Sequence, residues 1–395
     1  MDPESALDTI IRRDRKVGTH VTATWVSIVQ HNPEHEPLQL ELQLSLWGVL
    51  PRHVRDGVDM PDWRLVVDGL AEFFDLVGRP RYAALCRADT TREILEAAHD
   101  EEKCTELYAR AMERSHLMMP AEMQIEWWSD PGPAERVTRF YVTKAIEEAV
   151  ADQLFDEDDP LFDMRLAKHA SGVFDTHGTP DGIPLLEHVI RERMTAWARA
   201  VPSPLLRELL TRISPDIARS FAMPEEAART ALSTMLWVLD VCVQRGTLPD
   251  HPATVLARRC GFFDETGEQP RLSPSGDAVH DDPRRLYTGL CMHLLDGVDP
   301  AVAHTMIVVF AALLLEHEVY YDDLIHKVEV VLDELGERSE LDRAMEAVFH
   351  DLDVLQSLRL REGVDGDDRY ALTEFGHAVA RAGIRRHVLC GEVLG

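Results

Sequence analysis

Between Leu38 and Leu46 a leucine falls at every second position, with Gln39, Glu41, Gln43 and Ser45 between them. Strict alternation of this kind is the signature of a strand with one buried face. Upstream, Val17 to Val29 is rich in β-branched residues. The two segments together predict an N-terminal β element within residues 1–62, paired across the proline-flanked stretch His31 to Pro37. From Trp63 the spacing lengthens to that of a helix: Leu65, Leu70, Phe73, Phe74 and Val77 fit one face, and Gly78 with Pro80 supplies a stop. Ile94 to Met119 predicts a second long helix, and Val137 to Phe155 a third, with the turn-forming Trp128-Ser-Asp-Pro-Gly-Pro133 between them. Residues 63–160 are therefore expected to be a helical region.

Residues 161–300 continue as helix but carry an internal echo. Leu166 to Gly178 parallels Leu256 to Gly267: a helix end, a glycine, two hydrophobic residues and a polar turn. The second copy goes on to Arg271-Leu272, a return strand, then Ser273 as N-cap and Pro274 at the first helical position. A related segment closes the chain. Ala301 to Leu315 is apolar nearly all round and predicts a central buried helix. Asp322 to Leu335 and Glu340 to Leu358 follow, the latter with Leu341, Met345, Val348, Leu352 and Leu355 on one face. Asp365-Gly366 is a hairpin turn signal, Arg369 to Leu372 the return strand, and Thr373 the cap of a helix over Glu374 to Ala382.

Both segments end in Leu-(Ser/Thr)-x-x-Gly, at Leu272, Ser273, Gly276 and at Leu372, Thr373, Gly376. This arrangement resembles the wing of MarR- and PadR-type winged-helix proteins. Tyr370-Ala-Leu-Thr-Glu-Phe-Gly376 is the fuller match and Arg271-Leu-Ser-Pro-Ser-Gly276 the poorer; together they cover some sixty residues. Arg271 to Tyr287 is also similar to C-terminal regions of uncharacterised actinobacterial proteins. The resemblance implies a winged-helix-like domain over 301–395 and a wing-like hairpin within 161–300, and it names no activity. The fold class expected is mainly α (α+β).

Charge decides which partners such modules could take. The chain has 70 acidic residues against 41 basic ones, a formal net charge of −29 over 395 residues. Protein that neutralises phosphates needs local positive charge. The helix ahead of the last hairpin instead carries Glu340, Asp342, Glu346, Asp351 and Asp353 against Arg343 alone. The local counterweight is Arg359, Arg361, Arg369, Arg385 and Arg386, the candidate binding surface. A protein partner is thus expected over generic nucleic acid, with a DNA-binding transcriptional regulator as the alternative.

A metal-dependent enzyme with a helix-borne carboxylate/His site is the second alternative. Five carboxylate-x-x-His pairs occur, against about three expected by chance from 18 His and 70 acids, and the densest patch is Glu316-His317-Glu318 with Asp322, Asp323 and His326. Asp89 with Glu101 and Lys103 has nuclease-like spacing, but on a stretch that predicts helix where such sites use strands. Phosphate-loop, dinucleotide, hydrolase and zinc-protease signatures are absent, so no catalytic residue, cofactor or metal is assigned. Six scattered cysteines, no C-x-x-C pair, an acidic Met-Asp-Pro-Glu start and no apolar run near ~20 residues fit a cytoplasmic protein without a membrane partner.

Overall fold

The computed structural model describes the chain apart from residues 31, 121–122, 124, 177–181, 268, 281, 296–297, 362–367 and 391–395. It is mainly helical, with two small antiparallel sheets among the described residues. The chain divides into two compact units, Met1–Leu185 and Leu186–Gly395.

The first unit holds ten α-helices among its described residues: α1 (Pro3–Arg13), α2 (Arg15–Val29), α3 (Gln39–Gln43), α4 (Leu50–Arg55), α5 (Trp63–Leu76), α6 (Pro80–Arg87), α7 (Asp89–Glu96), α8 (Glu101–Ser115), α9 (Pro133–Ala151) and α10 (Phe162–Thr176). The expected N-terminal β element is not there. Leu38 to Leu46 lies on α3 and on a π-helical turn, Leu44–Val49, that joins it to α4. The reason is arithmetic: a leucine at every second position also supplies i, i+4 and i+8. Leu38, Leu42 and Leu46 are the fully buried members, while Leu40 and Leu44 flank them half-buried. Trp47 completes the buried stripe and anchors it, its Nε1 donating to Thr91 Oγ1 at 2.8 Å.

Val17 to Val29 is helical too. Asp14 caps α2 by accepting from Val17 N at 3.0 Å, and Val17, Val21 and Ile28 bury one face. The β-branched residues cost some helix propensity, but burial of that face outweighs it. The core behind it is aromatic: Phe73 lies 4.9 Å from Trp25 and 5.2 Å from Phe74, which in turn lies 5.4 Å from Tyr82. The helix expected over Ile94 to Met119 is broken after Glu96, and Asp100 starts α8 anew by capping Lys103 N at 3.1 Å. Leu166 to Thr176 stays helical within α10, so the first copy of the echo forms no hairpin in its described part; 177–178 lie outside the described residues.

The second unit runs α11 (Leu185–Ala200), α12 (Pro204–Ala218), α13 (Glu225–Ala231), α14 (Ser233–Arg245), α15 (Pro252–Arg259), β1 (Phe263–Asp264), β2 (Arg271–Leu272), α16 (Pro274–His280), α17 (Pro283–His293), α18 (Pro300–Glu316), β3 (Val319–Tyr320), α19 (Tyr321–Glu334), α20 (Leu341–Val354), β4 (Leu358–Arg361), β5 (Arg369–Leu372) and α21 (Glu374–Cys390). From Ala301 to Leu314 every residue of α18 except His304 is buried, as its pattern predicts. It packs against α12, α19, α20 and α21. Around it β1 pairs with β2, and β5 lies between β3 and β4, all antiparallel. The expected turn at Asp365-Gly366 lies outside the described residues. All six cysteines are free thiols, and no helix among the described residues is long and apolar enough to cross a membrane.

Candidate functional site

The site is built on the two hairpins of the second unit, which are anchored by the same local device. After α20 the chain turns through Gln356 at φ +48°, and after α15 through Gly261 at φ +70°. The next residue offers its carbonyl inward: Ser357 O accepts from Thr373 N at 2.9 Å, and Phe262 O accepts from Ser273 N at 3.0 Å. The cap hydroxyls then bind twice. Thr373 Oγ1 donates to Gln356 O at 3.0 Å and accepts from Gly376 N at 2.9 Å. Ser273 Oγ donates to Gly261 O at 2.6 Å and accepts from Gly276 N at 3.0 Å.

The glycine of each motif is steric. A Cβ on Gly376 would stand 2.1 Å from Ser357 O, and one on Gly276 2.1 Å from Phe262 O. Each following helix therefore presses its first turn against the carbonyl where the hairpin begins. Leu272 and Leu372 are buried beneath. Leu-(Ser/Thr)-x-x-Gly is thus a lock between a hairpin and the helix after it.

The C-terminal hairpin gains what the other lacks. β5 pairs on its second edge with β3, Val319 opposite Tyr370 and Tyr320 opposite Arg369. That register gathers Tyr321, Phe349 and Tyr370 into one cluster, with ring centroids 4.9 to 5.7 Å apart. Arg369 lies over the Tyr320 ring, 4.4 Å from its centroid, and bonds its hydroxyl. Tyr320 is 38% and Tyr321 37% exposed, so the cluster is open to solvent at one side. Burial, with Tyr321 and Asp368 nearby, pushes the Tyr370 hydroxyl pKa up.

Of the five arginines of the expected surface, Arg369, Arg385 and Arg386 have described side chains. Arg369 joins the aromatic cluster. Arg385 turns inward and caps the C-terminal carbonyls of α12, donating to Ala218 O at 3.2 Å and Arg219 O at 3.0 Å. Arg386 is half-buried on α21, and Arg359 and Arg361 stand opposite Ala371 and Arg369 in the β4–β5 register. Near them, Arg381 makes a bidentate pair with Asp216, both contacts at 2.8 Å.

The acids of α20 divide as well. Asp342, Glu346 and Asp353 are exposed, and Glu340 pairs with Arg343 at 2.8 Å. Asp351 is buried and pairs with Arg259 of α15 at 2.6 Å. Its carboxyl pKa is nonetheless raised, because burial outweighs the guanidinium and the Arg259 hydrogen bond. The helices that precede the two hairpins thus meet through an ion pair whose carboxylate is buried and whose guanidinium is half-buried. Partners 92 residues apart carry no local sequence signal; the aromatic cluster has one only in hindsight, as Tyr320-Tyr321 at the β3–α19 junction and Tyr370 on the neighbouring β5.

The metal alternative finds little geometry. Asp89 pairs with Arg92 on α7, while Glu101 and Lys103 sit on α8. Glu316 pairs with Lys327 and His326 with Glu329. Among the described residues no three His, Cys, Asp or Glu side chains converge to hold a metal ion. No protein-family model matches the chain, and no curated protein or solved structure is significantly similar to it.

Proposed function

We propose that this is a non-enzymatic interaction protein working through two winged-helix-like modules, residues 252–280 and 300–390, and that its partner is a protein rather than duplex DNA. The order helix, strand, helix, helix, strand, strand, helix, with β5 central in its sheet, supports the winged-helix reading of the C-terminal module. The repeated hairpin lock supports a reduced version of it in the other. The observation that carries the choice of partner is the Arg259–Asp351 pair. A DNA-reading module lays the helix before its hairpin in the major groove; here those two helices are turned toward each other, and the free charges of α20 are acidic. The half-exposed cluster of Tyr320, Tyr321, Tyr370 and Arg369 has the residue types that dominate protein interfaces.

The test uses the full chain and the double variant Tyr321→Ala/Arg369→Glu as parallel baits. A protein retained by the first and lost from the second is the expected result. Titration with random duplex DNA is the counter-test. Sub-micromolar affinity at ~0.15 M salt, with log K falling more steeply than about 5 per decade of salt, would replace this reading with DNA regulation.

A further inference from the structure

The first unit contains a cavity of about 420 Å³ between the start of α3 and the face of α9. That is the size of a small-molecule site and far more than one ion needs. Its walls are apolar where Leu38, Leu44 and Phe140 line it, with Leu38 and Phe140 fully buried. Four charged side chains line it, Glu41 and Asp130 against Arg136 and Arg139. Glu41 stands in the first turn of α3, its Oε2 accepting from Asn32 Nδ2 at 2.6 Å. Burial pushes its carboxyl pKa up to about 7, although Asn32 and Arg139 both act to lower it. Arg139 lies exposed on α9 at the cavity wall and makes no hydrogen bond or ion pair within 4 Å among the described residues. Its neighbour Arg136 is engaged, donating to Pro131 O at 3.1 Å and fixing the rim.

A carboxyl and a guanidinium across one pocket that do not close on each other leave room for a ligand carrying both complementary charges. A plain anion would meet Glu41 and Asp130, and a plain cation would meet Arg139 and Arg136. We infer that this cavity binds a small apolar zwitterion, an apolar α-amino acid or dipeptide, with its carboxylate on Arg139, its ammonium on Glu41 and its side chain against Leu38, Leu44 and Phe140. The site lies wholly in the first unit and is independent of the interaction reading.

Calorimetry on the full chain with L-leucine, L-phenylalanine and leucyl-leucine tests it, with N-acetyl-L-leucine and L-leucinamide as probes that each lack one charge. One site per chain is expected for at least one zwitterion, with affinity at least tenfold weaker for both single-charge probes. Arg139→Gln should weaken the zwitterion at least tenfold; its side chain is exposed, so folding is preserved. Glu41→Gln is close in shape, with the fold checked by circular dichroism, and should weaken the zwitterion while leaving N-acetyl-L-leucine binding no weaker, since a repelling carboxylate has been removed. No heat from any zwitterion at 10 mM, or binding that both variants leave unchanged, overturns the assignment.

Discussion

The two hairpins of the second unit share one lock but differ in what is built upon it. β1 and β2 have two residues each and no third strand among the described residues, whereas β4 and β5 have four each and add β3. Only the longer hairpin gathers Tyr321, Phe349 and Tyr370 beside Arg369. The lock is therefore a folding device and, under the proposed function, the third strand an interface device, and the two can be separated by substitution.

The largest effect is expected from the glycines. Gly376→Ala would force its Cβ onto the Ser357 carbonyl, and backbone cannot rotate aside as a side chain does. A loss of about 3 kcal/mol is expected in denaturant unfolding of the full chain. Gly276→Ala meets the same 2.1 Å contact and should cost about as much despite the shorter hairpin. A tolerated Gly276→Ala would show that the two locks are not equivalent.

Next comes the pair joining the hairpins. Arg259→Ala leaves Asp351 buried without its guanidinium and should cost about 2–3 kcal/mol at pH 8. The sign with pH follows from Asp351, whose folded pKa already lies above its usual 3.8. An acid that holds its proton more tightly when folded favours the folded state at low pH, and that contribution is lost as pH rises through its folded pKa. The deficit of Arg259→Ala should therefore shrink on going from pH 8 to pH 5. In Asp351→Asn the pH dependence from this site should vanish, and at pH 8 its cost should be the smaller of the two. Equal deficits at both pH values for Arg259→Ala would mean that the carboxyl is not truly buried.

The smallest effects belong to the caps. Thr373→Ala and Ser273→Ala each remove a hydroxyl that bonds one carbonyl and one helix N–H, and each should cost about 1 kcal/mol. A much larger loss at Thr373 than at Ser273, measured by the same unfolding, would mean that β3 stabilises its hairpin through this contact.

The parts of this molecule legible in sequence were those set by neighbours in the chain. Thr373 and Ser273 as caps, and Ala301 to Leu315 as a buried helix, follow from local patterns that the structure keeps. The leucines from 38 to 46 misled because period two contains period four, and only tertiary packing chooses between them. The echo at Leu166 failed for a related reason: Gly172 falls inside α10, where nothing forces a turn. Arg259 with Asp351, and Glu41 with Arg139, join distant positions, so no window along the chain could have paired them.

The position of α18 bears on how the chain is made. Its apolar surface is covered by α12, synthesised some ninety residues earlier, and by α19, α20 and α21, which emerge afterwards. On the ribosome this helix leaves the exit tunnel well before Glu374 to Cys390 exist to close over it. The second unit is then obliged to wait, holding this apolar helix without its last covering element until Cys390 has been made. Chains stalled before Glu374 are expected to remain protease-sensitive around Ala301 to Leu314 and to recruit a chaperone there, while chains extended past Cys390 become resistant in one step.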